Sequence, residues 1–273
     1  MINSRATISK ITIFFIALLA INTPANAEFN ASTACKAVSG TNITPVVELY
    51  TSEGCSSCPP ADKWLSTLKS KTAATVSSNS GANPAVVQAF HVNYWDYIGW
   101  PDRFATPAHT NRQRQIAVWN KQNGIYTPQM VLNGVDWRGW GGSSRDVTAS
   151  TASQEIAKSS ISLQQTGADQ FEAVVSPAAN SGSTASTWSA YWTITEHDHV
   201  TKVKAGENSG ETLLHDFVVR QYTPVGDYRA ATPQKLSLRG VAATSGHERQ
   251  VNLVVFDPKT GKTVQAVSAN CPS

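Results

Sequence analysis

Charge of one sign is what this 273-residue sequence most lacks: 22 Lys and Arg stand against 19 Asp and Glu, a formal net charge of +3. A chain so close to neutral has no global electrostatic footprint for nucleic acid or anionic lipid, so neither is expected as a partner. Long apolar runs are missing too. The only stretch of that kind, Ile11 to Ile21, is too short to cross a bilayer comfortably and has no stop-transfer flank. Cysteine is scarce, at four residues, and neither a second Cys-x-x-Cys nor a spaced histidine pair accompanies the first, as a zinc site commonly requires. There is no internal repeat and no long low-complexity tract.

The N-terminal stretch reads as a targeting segment. Arg5 and Lys10 form a short basic region, the apolar stretch follows, and Ala25-Asn26-Ala27 supplies a small-x-small cleavage pattern. Residues 1–27 are therefore expected to be a cleaved Sec-type secretory signal, with cleavage after Ala27. No twin arginine and no lipoprotein-type cysteine is present. The product is expected to be secreted or periplasmic, with no membrane span after cleavage. Removing the segment lowers the formal charge from +3 to +1. The roughly 245 residues left suit one large domain or two small ones. They hold enough apolar side chains to build a core without staples, so the cysteines need another purpose.

The most informative segment runs Val46-Val47-Glu48-Leu49-Tyr50-Thr51-Ser52-Glu53-Gly54-Cys55-Ser56-Ser57-Cys58-Pro59-Pro60. A β-prone apolar run ends in a small polar turn, two cysteines follow, and paired prolines open a helix, where a missing N–H costs little. This layout predicts a dithiol on the exposed lip between strand and helix. There the helix N-terminus favours thiolate, the species that attacks disulfides. Four cysteines permit three pairings. Proximity favours Cys55 with Cys58. Cys35 and Cys271 are then either bridged, tying the two chain ends together in an oxidising compartment, or left unpaired.

Periodicity predicts strand, helix, strand, helix, hairpin, helix up to about residue 160. The elements are Pro45–Tyr50, a helix carrying Trp64, Leu65 and Leu68, Ala85–Tyr94, a helix over about Pro107–Lys121, a hairpin about Asn133-Gly134, and a helix from Ser143 or Ser144 to about Ser159. Beyond 160, short strands are expected at Ile161–Leu163, Phe171–Val175, Trp188–Thr195, Val200–Val203, Phe217–Gln221, Val251–Phe256 and Val264–Val267. Such spacing suggests an antiparallel sheet or sandwich. The expected domains are 28–160 and 161–273.

Several other groups carry a functional and a plainer reading. His91 and His109 could approach the dithiol as metal ligands, but a lone strand histidine is more often packed. His197 and His199 share a strand face and could bind metal; an exposed polar edge is the plainer reading. Trp95, Tyr97 and Trp100 could wall a substrate groove or plug the junction with the β-rich region. Asp96 and Arg103 read as an internal ion pair, and Gly206–Leu213 as a structural turn.

The segments Leu49–Asp62, Phe90–Tyr97, Tyr126-Thr127-Pro128-Gln129-Met130 and Gly206–Leu213 together resemble a family of secreted thioredoxin-like proteins catalogued as a domain of unknown function. The resemblance implies an α/β fold, a thioredoxin-like core of mixed sheet flanked by helices, followed by a β-rich, sandwich-like region. In thioredoxin-type folds a cis-proline before the hairpin faces the dithiol, which makes Thr127, Pro128 and Trp95 the expected substrate groove. Cys55 is the expected nucleophile and Cys58 the resolving thiol. Where a typical thioredoxin has an aromatic residue before the pair and Gly-Pro within it, this chain has Gly54 and Ser56-Ser57. The expected activity is an exported thiol–disulfide oxidoreductase without cofactor or resident metal, acting on protein or low-molecular-weight thiols and disulfides with an unidentified redox partner. The alternatives are a non-catalytic binding module with a structural Cys55–Cys58 bond and a copper or zinc delivery protein.

Overall fold

The computed structural model describes residues 1–2, 34–73, 82–141, 155–178 and 187–271. Most of the segment expected to be a secretory signal, residues 1–27, and most of the helix expected from Ser143 or Ser144 lie outside them; Ser159, the expected end of that helix, begins a strand.

Val-Val-Glu-Leu-Tyr-Thr has no exposed position, and all six residues of β2 (Val46–Thr51) are buried. A strand with no solvent face belongs inside a sheet covered on both sides. It pairs in parallel with β3 (Val86–His91) and antiparallel with β4 (Gln129–Leu132). Asn133 and Gly134 both take positive φ, as a two-residue hairpin turn requires, and lead into β5 (Val135–Asp136).

Three short helices cover this end of the sheet. Preceded by β1 (Lys36–Val38), the helices are α1 (Pro59–Ser66), α2 (Leu68–Ala73) and α3 (Pro107–Trp119). Ala61 and Leu65 of α1 pack on Leu49, Ala89, Met130 and Phe217. Helix α3 covers the opposite face through Ile116, but most of what it buries is polar: His109, Thr110, Arg112 and Gln113. Arg112 meets Glu48 through Nε (3.2 Å) and a terminal nitrogen (2.5 Å), and Glu48 also accepts from the hydroxyls of Tyr50 (2.5 Å) and Tyr191 (2.7 Å). A buried ion pair persists because every acceptor of the carboxylate is used.

The rest of the chain is strand: β6 (Ser159–Gly167), β7 (Gln170–Pro177), β8 (Thr187–Glu196), β9 (His199–Lys202), β10 (Thr212–His215), β11 (Val218–Arg229), β12 (Gln234–Arg239), β13 (Arg249–Phe256) and β14 (Thr263–Asn270). One sheet has eight strands in the order β14-β13-β8-β11-β3-β2-β4-β5; a second has four, β1-β6-β7-β12; β9 and β10 form a separate hairpin. Between the two larger sheets, Ile161, Leu163, Phe171 and Val175 meet Trp192, Ile194, Leu253 and Val267. The disulfide Cys35–Cys271 borders this core, with Cα atoms 5.0 Å apart, so the two ends of the described chain are bridged rather than free.

These findings correct the expected fold class. The described residues are predominantly β, with fourteen strands against three short helices, and are not a helix-flanked α/β core followed by a separate β-rich region. The reason is in the strand order. Val218 of β11 pairs in parallel with Ala89 of β3, so strands from both sides of residue 160 share one sheet, and β1 likewise pairs with β6. Sheet and strand hairpins cover surfaces that an α/β core would give to helices. No helix among the described residues is long and apolar enough to cross a membrane.

Candidate active site

At the end of β2 the chain turns through Ser52–Ser57 into α1, and Cys55 and Cys58 are joined, with Cα atoms 5.4 Å apart. Cys58 is the N-cap residue, and Pro59 and Pro60 take the first helical positions. Those prolines have no N–H to offer. The next two amides, Ala61 and Asp62, both donate to the Cys58 carbonyl. The Cys55 sulfur receives hydroxyls instead of the helix amides the sequence suggests: Thr127 Oγ1 donates to Cys55 Sγ at 3.2 Å, and Ser57 Oγ lies 3.4 Å from it. Trp95 Nε1 in turn donates to Thr127 Oγ1 at 2.8 Å.

The expected groove residues are thus brought together with the dithiol. Thr127 and Trp95 form a hydrogen-bonded chain ending on Cys55, and the Thr127–Pro128 peptide is cis. Thr127, Pro128 and Trp95 are half-buried, whereas Ser56 and Ser57 are exposed. Cys55 itself is only 1% exposed and Cys58 0%, in contrast to the exposed nucleophile expected.

Part of that cover comes from Gly206–Leu213, the segment expected to be a structural turn. Glu207 accepts from both the backbone N–H (3.1 Å) and the hydroxyl (2.7 Å) of Ser56. Buried Asn208 donates through Nδ2 to the carbonyls of Glu53 (2.8 Å) and Cys55 (3.1 Å). Gly206 and Gly210 bracket these residues at φ +74° and +92°, conformations that glycine adopts freely. The sequence signal was a polar Glu-Asn-Ser between two glycines, without anything to say what it would grip. Gly54 lets Trp95 close over the turn: a Cβ there would lie 3.0 Å from Trp95 Cβ.

Behind the turn lies a buried charged cluster. Glu53 accepts from Trp100 Nε1 at 2.8 Å, and its other oxygen lies 3.4 Å from His215 Nε2. His215 Nδ1 is 3.7 Å from Asp62 Oδ1, while Asp62 Oδ2 accepts from Thr51 Oγ1 at 2.8 Å. His91 Nδ1 bonds Asp102 at 2.6 Å, and the two rings of His91 and His215 are 4.9 Å apart. Burial alone would depress His215, but Asp62 and Glu53 outweigh it and raise its pKa to about 9. Burial works against ionised Glu53 as well; the neighbouring His215 and Thr201 and the bond from Trp100 still hold it below its ordinary value. Asp102 is likewise kept low by His91 against the cost of burial. Of the groups that could hold a metal, Asp62, His91 and His215 present ligand atoms within 4.8 Å of one another.

The remaining candidates fall elsewhere. His109 bonds the His91 carbonyl at 3.0 Å, and burial lowers its pKa to about 4. His197 and His199 are buried apart: His197 faces Asp216, and His199 bonds Glu196 and stacks on His247. They form no exposed edge. Asp96 accepts from the Asp102 amide and Arg103 donates to the Val200 carbonyl, so each is engaged elsewhere than in the expected pair. Trp100 is set against Gly206 and bonded to Glu53.

Residues 46–256 match the model of a family described as Protein of unknown function (DUF1223), and the chain belongs to that family. A crystal structure of an Agrobacterium tumefaciens protein is similar in fold, with a TM-score of 0.59 and 24% identity, covering 85% of this chain and 96% of that one. HBP35 of Porphyromonas gingivalis gives a TM-score of 0.54 at 12% identity, over 85% of this chain and 76% of its own. At such identities the likeness concerns the fold alone. No curated protein matches the chain.

Proposed function

We propose that this family member performs thiol–disulfide exchange through Cys55 and Cys58 in an extracellular or periplasmic compartment. The observation that carries the reading is the hydroxyl relay from Trp95 through Thr127 to Cys55 Sγ. A donor aimed at Cys55 Sγ stabilises the negative charge that develops there when Cys55 leaves the mixed disulfide. In the oxidised form, a substrate thiolate attacks Cys55 Sγ. The Cys55–Cys58 bond breaks, a mixed disulfide forms, and Cys58 leaves as thiolate. The second substrate thiolate then attacks the substrate sulfur in the mixed disulfide, a substrate disulfide forms, and Cys55 leaves reduced. The reverse sequence reduces a substrate disulfide. Two disulfides are compatible with an oxidising compartment.

Full-length protein with Cys58→Ser tests the reading. Incubated with glutathione disulfide, it is expected to trap a mixed disulfide on Cys55, and failure to trap one overturns the proposal. A second reading, in which Cys55–Cys58 is an inert staple of a binding module, draws on the near-complete burial of both sulfurs. It requires that the wild-type bond not exchange with glutathione while the protein stays folded.

A further inference from the structure

The buried cluster behind the dithiol turn contains more nitrogen than exchange chemistry uses. The geometry points to a binding site for one divalent transition-metal ion at Asp62, His91 and His215. The site contains neither Cys55 nor Cys58, so it stands or falls separately from the exchange reading.

The three residues arrive from different elements: Asp62 from α1, His91 from the end of β3, His215 from the end of β10. All three are buried, and their ligand atoms lie within 4.8 Å of one another. His91 Nε2 and both ring nitrogens of His215 are buried without a hydrogen-bond partner. Buried polar atoms left in that condition are costly and call for an explanation. Protonating His215 answers Asp62 and Glu53 but leaves His91 Nε2 facing nothing; an ion answers all three ligands.

The far sides of His91 and Asp62 are already held, and that of His215 faces a carboxylate. Asp102 takes His91 Nδ1–H at 2.6 Å, which fixes the tautomer that leaves the Nε2 lone pair free. Glu53 faces His215 Nε2 at 3.4 Å, leaving Nδ1 toward Asp62. Thr51 occupies Asp62 Oδ2 at 2.8 Å and leaves Oδ1 available. Carboxylate-backed imidazoles of this kind are what orient metal-ligating histidines. Two imidazoles and one carboxylate suit zinc or its first-row neighbours and not calcium or magnesium, which prefer oxygen. In a tetrahedral zinc site the donors stand about 3.3 Å apart, given metal–ligand bonds near ~2.0 Å. His215 Nδ1 and Asp62 Oδ1, at 3.7 Å, need close only slightly.

The test uses untagged full-length protein with its disulfides intact, stripped by a chelator and titrated with zinc or cobalt alone. The expected result is one equivalent per chain. Cobalt should give visible absorption of a nitrogen–oxygen site without a sulfur charge-transfer band. Asp62→Asn and His215→Gln should each weaken zinc binding more than about 100-fold, and Thr51→Val about 10-fold, as loss of an outer partner does. His247→Gln should leave affinity unchanged. A zinc-edge anomalous map of the wild-type crystal locates the ion without any variant. No stoichiometric uptake, uptake that survives both ligand substitutions, a sulfur band, or an anomalous peak away from the three residues would each overturn the assignment.

Discussion

Loosening the loop that covers the dithiol turn should speed reduction of Cys55–Cys58 without unfolding the protein. Both sulfurs are inaccessible in the closed structure, so a reductant must wait for local opening. Asn208 is the fastening to remove. Its side chain makes two hydrogen bonds, at 2.8 and 3.1 Å, to the Glu53 and Cys55 carbonyls. At ~0.5–1.5 kcal/mol net for each bond, Asn208→Ala weakens closure by about 1–3 kcal/mol. That is about a 5- to 150-fold larger open population, and an equal gain in reduction rate where opening and closing are fast. The assay is timed reduction by dithiothreitol under native conditions, acid quench, alkylation and peptide mapping, which separates Cys55–Cys58 from Cys35–Cys271. Glu207→Ala, which releases only the exposed Ser56 contacts, should give a smaller gain. An unchanged Cys55–Cys58 rate in Asn208→Ala would refute the reasoning. So would equal acceleration of both disulfides, which would mean global unfolding instead of loop release.

Three further outcomes follow from the fold. Arg112→Met strands Glu48 in the interior and is expected to cost about 3–5 kcal/mol in urea unfolding, with a partial recovery in Glu48→Gln/Arg112→Met; equal loss in single and double variants would mean that the charge pairing is unimportant. Replacing Cys35 and Cys271 by Ala reopens a loop spanning 236 positions and should lower stability by up to about 5 kcal/mol while leaving Cys55–Cys58 formed; non-reducing peptide mapping and urea midpoints check both parts. Glu196 is held down to about 2 because His199, the Thr244 amide and Arg220 outweigh the burial that would raise it. A depressed carboxyl contributes stability that is complete above its unfolded value and lost as pH falls through the folded one. The stability gap between wild type and Glu196→Gln should therefore be level above about pH 5 and shrink toward about pH 2. A gap independent of pH would disprove that assignment.

Local chemistry was the legible part of this sequence. The apolar run of β2, the paired prolines at α1, the Asn133-Gly134 turn and the span of α3 each follow from a few neighbouring residues. The Cys55–Cys58 pairing and the approach of Thr127 were readable as well. Strand order was not, because pairing β3 with β11 depends on residues far apart in the chain, and Val218 carries no mark naming Ala89. The buried cluster was hidden for the same reason. Glu53, Asp62, His91 and His215 sit on four separate segments, and singly each looks like an ordinary polar residue. Helix α3 concealed its inward face because it is anchored by Arg112 and Gln113 instead of an apolar stripe.

The parallel pairing of β11 with β3 also sets a schedule. Synthesis delivers Cys55, Cys58, Asp62 and His91 well before Asn208, His215 and Val218 exist. Until then β3 has a bare edge, and the dithiol turn has neither its covering loop nor its second histidine. Closure of so distant a contact comes late in folding. During that interval the two thiols stand open to whatever oxidant or exchange partner surrounds the emerging chain.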